Sequence, residues 1–209
     1  MLHCHPDLGL TTELVPEPAS KALLERCTDA SALVLGSRGH GSPAGFLLGS
    51  ISLHVLGLAP CPAVAVRAGD LAVEESCLHP AAEERDAVVG VPDPVSAADP
   101  VLEFAFTAAQ ASGVGVRAVQ ARAHEAEAEE RALFGAALAP WREKFPDVPV
   151  VEQAVTGSVA QALVTGSARS RLTVIGRRRH TSPLAWKLGP VAHTVLHHAK
   201  SPVAIVPHG

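Results

Sequence analysis

The chain has 209 residues, 47% of them apolar and 18% charged, so there is material for a folded core and disorder is excluded. Lys and Arg total 17 against 21 Asp and Glu, and a formal net charge of −4 lacks the basic excess of a dedicated nucleic-acid binder. With no Tyr, five Phe and two Trp, an aromatic platform for stacking bases is excluded as well.

At roughly 100–200 residues per domain, the length fits one large domain or two small ones. The opening Met1 to Pro6 has neither the basic start nor the apolar stretch of a signal peptide. The most apolar run, Phe46 to Val66, is broken by His54, Pro60 and Pro62, whereas a membrane span needs about 20 mostly apolar residues. Cys4, Cys27, Cys61 and Cys77 show no CxxC spacing, and a cytoplasmic chain with free thiols is expected.

In chain order, Thr11–Val15 is expected as a strand, Ala19–Cys27 as a helix and Ala32–Leu35 as a strand. A glycine-rich stretch follows and leads into a helix opened by Gly49 and Ser50; Ala63–Val66 is the next strand. Residues 68–85 are polar and acidic and read as a linker. Asp86–Val91 is a short apolar run typical of a buried strand. Asp99 looks like a helix N-cap, with Pro100 at the first helical position and Gly113 as the stop. Val114–Gln120 alternates as a strand, and Glu125–Phe145 reads as a long helix that Pro140 kinks or ends. Val148–Val155 is a strand; Ser158 and Gln161 form a capping box for the next helix. Arg171–Gly176 is a strand, Gly189 to Ala199 a helix and Pro202–Val206 the last strand.

Strands and helices alternate, which predicts a parallel sheet with helices on both faces and a ligand site beyond the carboxyl ends of the strands. An offset of 140 residues aligns Ala32–Gly69 with Leu172–Gly209 without a gap, and 14 of the 38 positions are identical. That likeness predicts a duplication: an incomplete first unit over 1–67, a linker over 68–85 and a complete unit over 86–209.

The segment with chemical potential is Gly36-Ser37-Arg38-Gly39-His40-Gly41, continued by Gly49-Ser50-Ile51-Ser52. Its glycines permit close approach of backbone to an anion, and a helix opening at Ser50 offers free amides and the positive end of its dipole. Ser50 and Ser52 add hydroxyls; Arg38 and His40 add charge. A tight surface loop is the plain structural alternative.

Gly36, Gly39, Gly49 and Ser50 fit the pattern G-x2-G-x9-G-[ST], and with the flanks Ala32-Leu-Val-Leu and Ala59-Pro-Cys-Pro-Ala-Val-Ala-Val-Arg67 the chain resembles the universal stress protein family. The resemblance implies a tandem with an N-terminally truncated first unit and a flavodoxin-like (Rossmann-like) α/β sheet of order 3-2-1-4-5. It also implies ATP, with Mg, bound by the glycine segment, a role in the stress response, and dimer contact through last strands. Here that contact would be either a homo-oligomer or a pairing of the two copies within one chain. The second copy departs from the pattern, with Arg179 in place of a glycine and Pro190 in place of the serine; Pro92 stands where the family usually has an Asp. These departures keep open a second reading, an interaction module that binds no nucleotide. No catalytic constellation is visible, and no enzyme activity is expected. His193, His197 and His198, and His3-Cys4-His5, have spacings that metals use but read as surface groups, and Phe46 and Trp186 as loop packing.

Overall fold

The computed structural model describes residues 8–36, 48–66, 86–91, 98–122, 128–178 and 188–209. The linker expected at 68–85, and Phe46, Trp186 and His3 to His5, lie outside these residues. The described elements run α1 (Ala19–Arg26), β1 (Leu33–Gly36), α2 (Ser50–Leu58), β2 (Ala63–Val66), β3 (Asp86–Gly90), α3 (Asp99–Ser112), β4 (Val116–Arg122), α4 (Ala128–Lys144), β5 (Val150–Thr156), α5 (Val159–Ser167), β6 (Ser170–Arg178), α6 (Pro190–His198) and β7 (Val203–His208).

All seven strands form one sheet, in the order β1-β2-β7-β6-β3-β4-β5. Every neighbouring pair is parallel except β2 and β7, which run antiparallel with Ala63 opposite Ile205 and Val64 opposite Ala204. This corrects the expected tandem of two units, one of them truncated; the expected order 3-2-1-4-5 is present over residues 86–209, as β5-β4-β3-β6-β7, and β2 and β1 extend the same sheet beyond β7. The repeated elements recur at the 140-residue offset, but they are parts of a single α/β domain of the Rossmann-like, flavodoxin-like kind. The physical reason is the pairing of β2 with β7. It fuses the two segments into one hydrogen-bonded ladder, and one apolar layer closes over both of them.

That layer contains Val55 and Leu56 from α2, Leu163 from α5 and Val195 and Leu196 from α6, with Leu23 and Leu24 of α1 packed against it. The opposite face is covered by α3 and α4, whose Phe106, Leu138 and Trp141, with Phe145 just after α4, pack over Val89 and Val174. Phe106 stands 6.0 Å from Trp141 and 5.5 Å from Phe145, ring centre to ring centre. A further tie joins the segments: Arg177 of β6 donates from Nη2 to the Ala59 carbonyl at the end of α2, at 2.6 Å. That carbonyl is one of the orphan acceptors at a helix C-terminus.

Local chemistry explains most boundaries. Pro100 sits in the first turn of α3, and Gly113 ends it in the left-handed conformation, φ 64°. The Ser158 hydroxyl caps α5 by accepting from the Gln161 amide at 3.3 Å. Three expectations fail. Ala98, and not Asp99, is the N-cap of α3, and Asp99 is its first helical residue. Thr11–Val15 forms no strand, and Leu14 of that segment and Leu10 just before it are exposed. A strand needs a neighbour for its backbone donors and acceptors, and among the described residues β1 pairs only with β2. Pro140 neither ends nor limits α4, which continues to Lys144 because Leu138 and Trp141, on either side of it, are buried.

Candidate functional site

The sheet changes winding at β3. The β3-to-β4 connection crosses the face of α3 and α4, whereas the β5-to-β6 connection carries α5 across the other face. A parallel α/β sheet opens a crevice at such a point, beyond the carboxyl ends of its strands. A cavity of about 240 Å³ lies there. Gly90 and Val91 of the β3 end and Ile175 and Gly176 of β6 line it. Gln120 and Ala121 of β4 form one side; Val159 and Leu163 of α5 and Val191 of α6 form the other.

Gly90 keeps this cavity open. A Cβ there would stand 2.9 Å from Leu163 Cδ1 and 3.6 Å from Ile175 Cγ2. The walls are mostly apolar, and Gln120 brings the one side-chain amide, itself buried. An apolar slot with one amide suits a flat, partly polar ring, which it can sandwich while the amide reads its edge. The first turn of α6 stands beside the cavity through Val191, but Pro190 there has no amide hydrogen to offer an anion.

The sequence singled out a different place. Gly36 ends β1, Gly49 is the N-cap of α2 (φ −60°, ψ 154°), and Ser50, Ile51 and Ser52 form its first turn. Ser37, Arg38, Gly39, His40 and Gly41 lie outside the described residues. β1 and β2 are mutually parallel but β2 opposes β7, so their carboxyl ends point to the opposite end of the sheet from those of β3 to β7. Gly36 and the Gly49-to-Ser52 turn therefore stand at the opposite end of the sheet from the cavity at β3 and β6. A Cβ on Gly36 or Gly49 would meet no described atom within 4 Å.

Gly90, Gln120, Ala121, Leu163 and Val191 escaped sequence reasoning because they belong to no motif. The signal that finds them is topological: they cluster only once the winding reversal at β3 is known. The imidazoles of His193 and His197 lie 4.4 Å apart on α6. Among the described residues, no group of three or more His, Cys, Asp or Glu side chains is placed to hold a metal ion. No described helix is long and apolar enough to cross a membrane. Cys27 and Cys61 are free thiols, both buried.

A single mixed sheet wound on both faces, with a small apolar cavity at its switch point, defines a Rossmann-like α/β domain. The Universal stress protein family matches residues 5–67 and 85–207. The chain belongs to the universal stress protein family, whose members bind and regulate rather than catalyse. It is 30% identical over 211 residues to a universal stress protein of Mycobacterium tuberculosis, covering 95% of this chain and 69% of that protein. A universal stress protein of Mycolicibacterium smegmatis is 29% identical over 212 residues, with the same coverage of 95% and 69%. Among solved structures, a universal stress protein from Archaeoglobus fulgidus superposes with a TM-score of 0.69 at 19% identity, over 91% of this chain and 67% of that one.

Proposed function

We propose that this chain binds an adenine nucleotide, ATP with Mg, in the cavity at the carboxyl ends of β3, β4 and β6, and serves the stress response through that occupancy. The carrying observation is the cavity itself: an apolar slot at the switch point, held open by Gly90 and provided with the Gln120 amide. Its volume of about 240 Å³ is below the roughly 300–1,000 Å³ of pockets that enclose whole drug-sized ligands. It suits a purine ring whose sugar and phosphates lie outside. The segment Gly36, Ser37, Arg38, Gly39, His40, Gly41, Gly49, Ser50, Ile51, Ser52 is proposed as a separate phosphate-binding motif. The protein is proposed to act in the cytoplasm, consistent with the free thiols of Cys27 and Cys61. Any homo-oligomer is proposed to use an edge other than β7, whose two sides are taken by β2 and β6.

Pro190 favours a second reading, an interaction module without nucleotide, because it removes an amide at the helix end beside the cavity. Calorimetric titration with Mg-ATP separates the two. Micromolar affinity corresponds to about −8 kcal/mol. Its loss in Gly90→Val assigns the nucleotide to the cavity, whereas its loss only in Gly39→Arg/Ser50→Pro assigns it to the glycine segment. Absence of binding up to about 1 mM, weaker than −4.1 kcal/mol, supports the interaction module instead.

A further inference from the structure

A second hollow, a groove of about 490 Å³, runs between α5 and the exposed faces of β4 and β5. It is distinct from the nucleotide cavity in lining and in chemistry. Arg117 of β4 and Arg169 of the α5-to-β6 turn both border it, and no carboxylate does. Gln153, Thr156, Gln161 and Thr165 add two amides and two hydroxyls.

Arg117 is held in place from one side. Its Nη2 donates to Asp86 Oδ2 at 2.6 Å, yet 35% of its side chain stays exposed. Its Nε is buried without a hydrogen-bond partner among the described residues. A fork fixed at one corner and exposed elsewhere is pre-organised for an oxyanion at its exposed edge. Arg169 makes no side-chain ion pair among the described residues. Two guanidinium groups therefore share one polar groove, and a single carboxylate, Asp86, offsets only one of them.

From this juxtaposition we infer a second binding site, for a small phosphate-bearing anion, in the groove between Arg117 and Arg169. Arg117 supplies the fixed fork, Arg169 closes over the anion from the opposite wall, and the amides and hydroxyls take its remaining oxygens. The inference is independent of the nucleotide reading, because the groove shares no residue with the cavity at β3 and β6.

The probe is inorganic pyrophosphate, added to the full chain at low ionic strength and followed by calorimetry and by amide shifts of Gln153, Gln161 and Arg169. Saturable binding is expected, weakening as salt screens the charges. Arg169→Ala is the main variant, since Arg169 is exposed and its loss leaves the core intact; binding is expected to fall by at least about tenfold. Arg169→Lys is expected to recover only part of it, because an ammonium cannot form a two-pronged contact. Gln161→Ala gives a smaller loss. Absence of saturable binding, or equal affinity in Arg169→Ala, overturns the inference.

Discussion

Replacing Leu56 by Ala tests whether the two segments are one folding unit. Leu56 of α2 is fully buried in the layer it shares with Leu163, Val195 and Leu196 of the second segment. Truncating such a leucine costs about 2–5 kcal/mol, because apolar contact is lost and the cavity left behind closes only in part. Taking about 3 kcal/mol and a urea dependence of roughly 2 kcal/mol per molar, the unfolding midpoint falls by ~1.5 M. The readout can be confined to the other segment, since both tryptophans of the chain, Trp141 and Trp186, lie there. A Trp186→Phe background leaves Trp141, which is packed against Phe106 and Phe145 on the opposite face of the sheet. If the seven strands unfold together, Trp141 fluorescence and far-ultraviolet dichroism shift by the same amount. A Trp141 midpoint that stays in place while dichroism shows a separate, earlier transition would refute the single-sheet account.

Three other outcomes follow from particular residues. Burial pushes the His208 imidazole below its ordinary 6.5, and Arg178 and Arg177 act in the same direction. The unfolded chain then takes up a proton first as the medium is acidified, so stability declines as pH falls below about 6.5, and His208→Gln flattens that slope in urea titrations across pH. Burial, and then the hydrogen bond to Cys61, push the Cys27 thiol from 9.0 up to about 11. The unfolded chain releases that proton first, so stability holds below pH 9 and falls as pH rises toward 11; Cys27→Ala removes this alkaline loss. Gly115→Ala places a Cβ 2.9 Å from the Pro149 carbonyl oxygen, which is backbone and cannot swing aside. Thermal unfolding of that variant is expected to show a loss of about 1–3 kcal/mol, and an unchanged midpoint would contradict the packing of β4 beside β5.

Local signals in the sequence carried the elements well, because they depend on neighbours in the chain. Gly113 marks the end of α3 by its left-handed backbone, and Ser158 with the Gln161 amide marks the start of α5. Alternation of strands and helices likewise carries the α/β class. What local signals miss is how distant pieces close on one another. The 14 identities between Ala32–Gly69 and Leu172–Gly209 correctly relate β1 to β6 and α2 to α6, but they carry no record of which edges meet. The antiparallel register of Val64 with Ala204 is the pairing of last strands within one chain that the family resemblance implied, and it joins two expected units into one sheet. The same register sets Gly36 and Gly176 at opposite ends of the molecule. Thr11–Val15 reads as a strand from its equivalence to β5, yet β5 has β4 beside it and Thr11–Val15 has no strand to pair with.

The cavity at β3 and β6 is the center of the functional proposal, and amide chemical shifts under an ATP titration test it most directly. Shifts that saturate together at Gly90, Gln120, Ala121 and Gly176, and that are absent in Gly90→Val, are the predicted result. Saturating shifts confined to Gly49, Ser50 and Ser52, or none at any of these residues, would contradict it.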